Sequence, residues 1–189
     1  MAYNFTQAAI AAVNALGTIA RIGFGQVELN HVSGIVDGSI YAQLPADATL
    51  GTVLENGRFA KYNMAAGKVT LTGDMPWLMI YNETKLYDER YQNQKDFAME
   101  ADNFTGGEMT PRLIEINVGD IFTTNTFGAN TSNTATVNGE ALVLADPVKI
   151  GADGYLTKGT ATAGEPQFQV VKVYTMADGQ PGVKLQRVA

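Results

Sequence analysis

The side chains that could perform chemistry are few in this sequence and form no recognised catalytic pattern. His31 is the single histidine of the 189-residue chain, and cysteine is absent, so the sequence predicts neither a thiolate metal site nor a zinc site. A nucleophilic serine would need His31 beside it and usually stands in a G-x-S-x-G turn. None of the serines stands in such a turn: Ser33, Ser39 and Ser132.

Carboxylates are abundant, but their positions do not identify an acid–base pair. Ten acids and four bases lie between Asp74 and Asp120, and adjacent acids such as Asp88 and Glu89 occur there. Glycoside hydrolysis needs two carboxyl groups held on opposite sides of a sugar bond, whereas solvation of a polar segment explains the same residues more simply. We keep a hydrolase as an alternative and predict that the chain is not an enzyme and needs no cofactor or metal.

Composition argues against nucleic acid and membranes as partners. The formal net charge is −6 and the sequence pI is about 4.7, and no window forms the basic face that nucleic-acid binding requires. No apolar run approaches the roughly 18 residues of a membrane helix. Charged residues make up only 17% of the chain. This low share suits either an ordinary neutral β-protein or a surface that other subunits cover.

The first 25 residues predict a helix or an arm. Over residues 4–16, apolar side chains recur at three- and four-residue steps, as on one face of a helix: Ile10, Val13 and Leu16. A helix this short and without charge is marginal alone. It must therefore pack either on its own domain or on a neighbouring subunit.

The rest of the chain has the pattern of short strands separated by turns. Strand-like segments are GSIYAQL, GTVLENGRFAKYN, GKVTLTG, PWLMIYNE, RLIEINV, DIFTTNT, ALVLADPV, GYLTKG, FQVVKVYTM and GVKLQRV. The second of these predicts a hairpin that turns at Asn56–Gly57. The apolar run from Trp77 to Tyr81 predicts a strand that is buried on both faces.

This spacing predicts a mainly β fold, an antiparallel sandwich or barrel in one or two lobes. We expect the N-terminal arm over residues 1–25 and a β domain over 26–118. A charged and aromatic segment at 84–104 is expected to form a short helix or an excursion off the sheet. Residues 119–189 are expected to form a β lobe, either separate from the preceding domain or continuous with it.

The segment from Gly119 to Asn138 is unusually polar and almost uncharged. It holds six threonines and four asparagines, and Asp120 is its single charged residue. Hydroxyl and amide side chains can satisfy backbone groups locally or form bonds across an interface. We therefore predict packing between β-elements or between subunits rather than chemistry, with an exposed hairpin loop as the simpler alternative.

Four segments carry a family resemblance: LENGRFAKYN, WLMIYNETKLYDERYQNQKDFAME, PRLIEINVGDIFTTNTF and ADGYLTKG, all within residues 49–158. They resemble small structural proteins of tailed bacteriophages, of the kind that decorate or cement the capsid. The resemblance implies a mainly β virion protein on the outer capsid surface, assembled in the host cytoplasm. It further implies a trimer or dimer whose partner is the major capsid protein.

From this resemblance we expect a decoration or cement protein that stabilises the capsid by bridging major capsid subunits. Contacts to the capsid or to another subunit are expected in the N-terminal arm and in the polar segment, at Phe5, Ile10, Val13, Leu16, Phe122, Thr124, Asn125 and Phe127.

Two other functions stay open. One is another virion component, such as a tail-tube, head-completion or head-fibre protein. The other is a carbohydrate-binding β-module whose sugar platform would consist of Trp77, Tyr81, Tyr87 and Tyr91.

Replacing Ile10 and Val13 together by Asp is predicted to abolish attachment to capsids, because two charges would destroy the apolar face of the arm. Co-sedimentation of the purified variant with capsids measures this. Asn14→Asp adds a charge at a polar position of the same segment and serves as the control. Normal attachment of the double variant would rule out a bridging arm.

Overall fold

A computed structural model describes residues 19–20, 25–33, 44–73, 76–82, 98–100, 109–127, 134–135, 142–175 and 181–189. Within them the chain is mainly β, with fourteen strands and one 3-10 turn at Ala48–Leu50. The strands are β1 Ile19–Ala20, β2 Val27–His31, β3 Val53–Glu55, β4 Phe59–Asn63, β5 Lys68–Thr70, β6 Leu78–Ile80, β7 Ala98–Glu100, β8 Leu113–Ile114, β9 Ile121–Thr124, β10 Thr134–Ala135, β11 Pro147–Ile150, β12 Leu156–Lys158, β13 Gln167–Thr175 and β14 Pro181–Arg187.

The predicted mainly β architecture is confirmed. Antiparallel sheets pack face to face, and the segments predicted as strands after Pro111 contribute strands, except that ALVLADPV forms a turn and only its last two residues belong to β11. The predicted helix at 4–16 and most of the segment 84–104 lie outside the described residues. Among the described residues, no helix is long and apolar enough to cross a membrane.

The largest sheet has six antiparallel strands in the order β12-β11-β13-β14-β9-β2. Beyond β9 the chain continues to Phe127, which forms a parallel bridge with Leu156 of the edge strand β12. The bridge joins the continuation of β9 to the opposite side of the sheet. The six-stranded sheet is therefore curled around its inner face.

A four-stranded antiparallel sheet, β5-β4-β6-β8, packs against that inner face. Its strand β6 belongs to the apolar run predicted to be buried on both faces, and the structure confirms this: Leu78, Met79 and Ile80 are 0% exposed. Successive side chains of a strand point to opposite faces. Met79 accordingly packs between the two sheets, while Leu78 and Ile80 pack in a second core on the other side.

The first core lies between the two sheets and combines residues from distant parts of the chain. Phe168 of β13 contacts Phe59 of β4, with ring centroids 5.6 Å apart, and meets Phe122 of β9 edge to face at 5.7 Å. Strand β2 also pairs directly with β9. The ranges 26–118 and 119–189 thus share one sheet and one core.

The second core lies on the outer side of the four-stranded sheet. Leu50 of the 3-10 turn and Leu54 of β3 are buried there beside Tyr62 and Val69. Strand β3 pairs with β7, which brings Leu54 opposite Met99. The molecule therefore has three layers, and β6 lies in the middle one.

The predicted hairpin at Asn56–Gly57 is wrong in its pairing, although the turn exists. The Arg58 N–H lies 3.4 Å from the Glu55 carbonyl, and Gly57 has φ 85°. Asn56 keeps a negative φ, so this is not the type I′ turn, which requires positive φ at both central residues. The chain instead leaves the two-stranded sheet of β3 and enters the four-stranded sheet with β4.

Met79→Ala is expected to lower the free energy of unfolding by about 2–5 kcal/mol, because it leaves a cavity between the sheets. Met64→Ala makes the same chemical change at a side chain that is 66% exposed, and its effect should stay below about 0.5 kcal/mol. Urea denaturation of both variants measures the difference. Equal effects would contradict the burial of β6 between two cores.

Candidate functional site

A network of buried polar side chains lies where the turn between β3 and β4 meets the six-stranded sheet. Glu55, Asn56 and Arg58 are 0%, 6% and 6% exposed. Charged residues are almost never buried this fully unless they are paired or hydrogen-bonded. Their surroundings therefore have to supply partners for every charged group.

The carboxylate of Glu55 joins two distant segments. Its Oε1 accepts a hydrogen bond from the Gly25 N–H at 2.8 Å, and its Oε2 accepts one from the Tyr155 hydroxyl at 2.9 Å. Gly25 precedes β2 and Tyr155 precedes β12, which are the two outer strands of the six-stranded sheet. Glu55 thus connects β3 to both sides of that sheet.

Arg58 extends the same connection toward the second core. Its guanidinium lies 4.9 Å from the centroid of the Tyr155 ring. It donates hydrogen bonds to the carbonyl of Leu50 at 2.7 Å and to the carbonyl of Asp153 at 3.0 Å. These contacts attach the 3-10 turn and the turn before β12 to the start of β4.

Asn56 and Asn82 continue the network along the end of β6. The Asn56 Oδ1 accepts from the Asn82 N–H at 2.7 Å, and the Asn82 Oδ1 accepts from the Arg112 N–H at 2.9 Å. The Thr126 hydroxyl donates to the Asn56 carbonyl at 2.7 Å. Side chains thus take over backbone pairing where the strands end.

The described part of the polar segment has the packing role predicted for it. The Thr124 hydroxyl donates to the Gln26 carbonyl at 2.6 Å, and the Asn125 Oδ1 accepts from the Gln26 N–H at 2.7 Å. The Thr126 N–H donates to the Thr124 Oγ1 at 3.0 Å. Packing between β-elements is confirmed for these residues.

The structure corrects the contact role predicted for four residues of this segment. Phe122, Thr124 and Asn125 are 0% exposed and Phe127 is 3% exposed. They present almost no surface to a partner: the two phenylalanines belong to the first core, and the polar pair bonds to β2 or its flank. The other predicted contacts lie outside the described residues and stay predictions: Phe5, Ile10, Val13 and Leu16.

Two glycines allow the backbone to approach the threonine side chains closely at this network. A Cβ on Gly57 would lie 2.6 Å from the Thr124 Oγ1, and a Cβ on Gly25 would lie 2.3 Å from the Thr126 Oγ1. Both distances are shorter than the contacts that Cβ atoms make in proteins. The threonine hydroxyls can therefore reach their backbone partners only because no side chain stands at either glycine.

A second feature is a set of three turns, which we call the closed turns, at residues 63–66, 117–120 and 143–146. In each, an Asn or Asp side chain accepts a hydrogen bond from a backbone N–H three residues away. The pairs are Asn63 Oδ1 with the Ala66 N–H at 3.0 Å, Asp120 Oδ2 with the Asn117 N–H at 2.8 Å, and Asp146 Oδ2 with the Val143 N–H at 2.8 Å.

The closed turns carry the most exposed large apolar side chains of the described chain. Leu144 is 71% exposed, Met64 66%, Val118 63% and Val143 57%. The pattern of RLIEINV and ALVLADPV predicted strands, so Val118, Val143 and Leu144 were expected in a sheet rather than in turns. A turn signal is present in NVGD and VLAD, where an Asp three positions after the first turn residue can accept from the N–H of that residue.

Further contacts strengthen two of these turns. The Asp120 Oδ1 also accepts from the N–H and the hydroxyl of Ser33, both at 2.8 Å. Asp146 lies 3.0 Å from the Lys158 ammonium. Ala145 takes a positive φ of 68°, a conformation that most residues avoid. The turns are thus held by the fold around them.

The side chains that were considered for chemistry have other partners or lie apart. Ser33 donates its hydroxyl to Asp120, while His31 is exposed on the edge strand β2. In the described ranges, no three His, Cys, Asp or Glu side chains lie close enough to share a metal ion. Of the aromatic residues considered as a sugar platform, Trp77 and Tyr81 pack partly against the first core. Tyr87 and Tyr91 lie outside the described residues.

Gly57→Ala is expected to destabilise the protein more than Gly67→Ala does. Both glycines have positive φ, so alanine is strained at each by about 1–2 kcal/mol. Only at Gly57 does the new methyl group meet other atoms, since nothing lies within 4 Å of a Cβ on Gly67. The overlap should add about 1–3 kcal/mol. Equal unfolding free energies in urea would contradict the close approach.

Acid should weaken the turn at 143–146. The pKa of Asp146 is lowered from its ordinary value of 3.8 by the Val143 N–H and then by Lys158. A carboxyl group whose pKa is lower in the folded than in the unfolded protein stabilises the fold at pH values above its unfolded pKa. This stabilisation is lost as the pH falls through the pKa of the folded protein.

Asp146→Asn should therefore destabilise the protein at neutral pH, and the difference from wild type should shrink below about pH 4. Urea denaturation of both proteins across this range measures the effect. A difference that stays constant with pH would contradict the assignment.

No protein-family model matches this chain, and neither a curated protein nor a solved structure matches it.

Proposed function

We propose that the chain is a structural virion protein of a tailed bacteriophage that binds the outer surface of the capsid. It stabilises the shell by bridging major capsid subunits and acts as a dimer or trimer. The observation that supports the proposal most strongly is the position of the four most exposed large apolar side chains on the closed turns. The resemblance of four sequence segments to capsid decoration proteins suggests the partner.

Apolar side chains on turns with an ordered backbone suit binding to a preformed surface. Single exposed apolar residues are ordinary on proteins and need no explanation. Here, however, the four with the greatest exposure all lie where a side-chain hydrogen bond fixes the backbone. A turn that is already ordered loses little conformational entropy on binding, and that saving increases affinity.

The distribution of the closed turns favours bridging over a single contact. The turn 63–66 connects β4 to β5 in the four-stranded sheet, whereas 117–120 and 143–146 precede β9 and β11 in the six-stranded sheet. Several modest contacts from one rigid molecule give strong overall attachment. An oligomer multiplies the number of contacts again.

We expect attachment to fall stepwise as the turns are altered. Met64→Asp, Val118→Asp and Leu144→Asp should each lower the affinity for purified capsids roughly tenfold, the effect of losing one well-packed apolar contact. The triple variant should fail to attach. Thr110→Asp, at another exposed position, adds the same charge elsewhere and should bind normally. A triple variant that binds like Thr110→Asp would overturn the proposal.

The same variants separate the capsid from other virion parts. A tail-tube, head-completion or head-fibre protein would bind purified tails, necks or portal vertices rather than the whole shell. Binding of wild type to those parts and not to expanded capsids would favour that alternative and overturn the shell-wide role.

A further inference from the structure

A cleft of about 320 Å³ is lined in part by Trp77, the residue before β6. Its walls come from the end of β11, the turn after it and the loop between β12 and β13. The lining side chains that carry the argument are Trp77, Lys149, Thr162 and Glu165. This volume lies at the lower end of the range for small-molecule sites.

The aromatic wall of the cleft is held in place. Trp77 packs partly against the first core, and the Lys61 ammonium lies 4.6 Å from the centroid of its ring. Lys61 in turn lies 3.6 Å from the Glu165 carboxylate. The indole and the carboxylate are therefore fixed relative to each other by one lysine.

The loop that forms the opposite wall is also ordered by specific bonds. The Glu165 N–H donates to the Thr162 carbonyl at 3.0 Å, closing a turn that brings both residues to the cleft. The Gln167 side chain accepts from the Ala161 N–H at 2.6 Å and donates to the Val148 carbonyl at 2.8 Å. The wall is thus attached to β11 before any ligand binds.

The chemistry of the lining selects among ligand classes. The Glu165 carboxylate in the lining repels an anionic ligand, although Lys149 in the lining and Lys61 beside the indole carry positive charge. The other lining side chains are uncharged, and Thr162 adds a hydroxyl; with the backbone atoms, more of the surface of the cleft is polar than apolar. The cleft therefore suits a neutral ligand with an apolar face and several hydroxyl groups.

We propose that this cleft binds a neutral pyranose unit of a glycan. The C–H face of the sugar packs on the part of the Trp77 indole that Lys61 leaves uncovered, because aromatic rings bury apolar surface favourably. Its hydroxyls donate to the Glu165 carboxylate, accept from the Lys149 ammonium, and both donate to and accept from the Thr162 hydroxyl. This activity is independent of capsid binding and goes beyond it.

Trp77 makes the proposal directly measurable, because it is the single tryptophan of the chain. Its emission reports on the cleft without labelling. We expect a saturable change in emission on titration with at least one neutral disaccharide among lactose, maltose, cellobiose and diacetylchitobiose. Glucose 6-phosphate should bind no more tightly than glucose.

Variants test which groups hold the sugar. Glu165→Gln and Thr162→Val keep the shape of the cleft and should each weaken binding roughly fivefold or more, the effect of one altered hydrogen bond. Thr110→Val, at an exposed position outside the lining, should bind as wild type does. Chemical-shift perturbation by the same sugars should centre on the loop 160–166.

Two results would overturn the proposal. One is the absence of any saturable emission or chemical-shift change with all four disaccharides. The other is binding that the Glu165 and Thr162 variants leave unchanged, since the sugar would then lie elsewhere. Capsid attachment by the same preparations is measured separately, so a failure of sugar binding leaves the shell-binding role intact.

Discussion

The burial of Glu55 and Arg58 is the constraint on which the rest of the fold depends. A buried carboxylate without donors would cost several kcal/mol, so the Gly25 N–H and the Tyr155 hydroxyl must both be in place. Arg58 sets a matching requirement on Leu50 and Asp153. The two side chains therefore fix the position of three segments: the residues before β2, the 3-10 turn and the turn before β12.

The two apolar cores and the polar network make different contributions to folding: the cores favour assembly, and the network favours one alignment of the strands. Burial of β6 on both faces supplies the general drive to assemble three layers. Apolar packing alone would tolerate alternative alignments, whereas a strand shifted by one residue would bury Thr124 or Asn56 without partners. The network thus selects one alignment, and that alignment holds the closed turns at fixed separations on the surface.

Local patterns in the sequence predicted the features of the fold that depend on residues close together in the chain. Alternation and turn residues located most strands after Pro111, although ALVLADPV forms a turn before β11 rather than a strand. The continuous apolar run at Trp77–Tyr81 indicated a doubly buried strand. The hairpin at Asn56–Gly57 was predicted wrongly because a distant contact decides it: the Gly57 N–H donates to the Ile80 carbonyl rather than supporting a β3–β4 ladder.

For the polar segment, the predicted packing between β-elements is confirmed, but the contact role that the resemblance implied for Thr124 and Asn125 is not, because both side chains are buried. Their partners in Gln26 lie 98 and 99 residues away in the chain, and no local pattern encodes such a match. The exposure of Val118 and Leu144 on the closed turns was not predicted, because apolar residues in a β-rich sequence are normally expected in the core.

The most direct test of the shell-binding role is the copy number of this protein in purified virions, measured by quantitative mass spectrometry against the major capsid protein. We expect a fixed ratio to the major capsid subunit, with many copies per particle. A few copies per particle would assign the protein to a portal, neck or tail. Its absence from virions would contradict a structural role altogether.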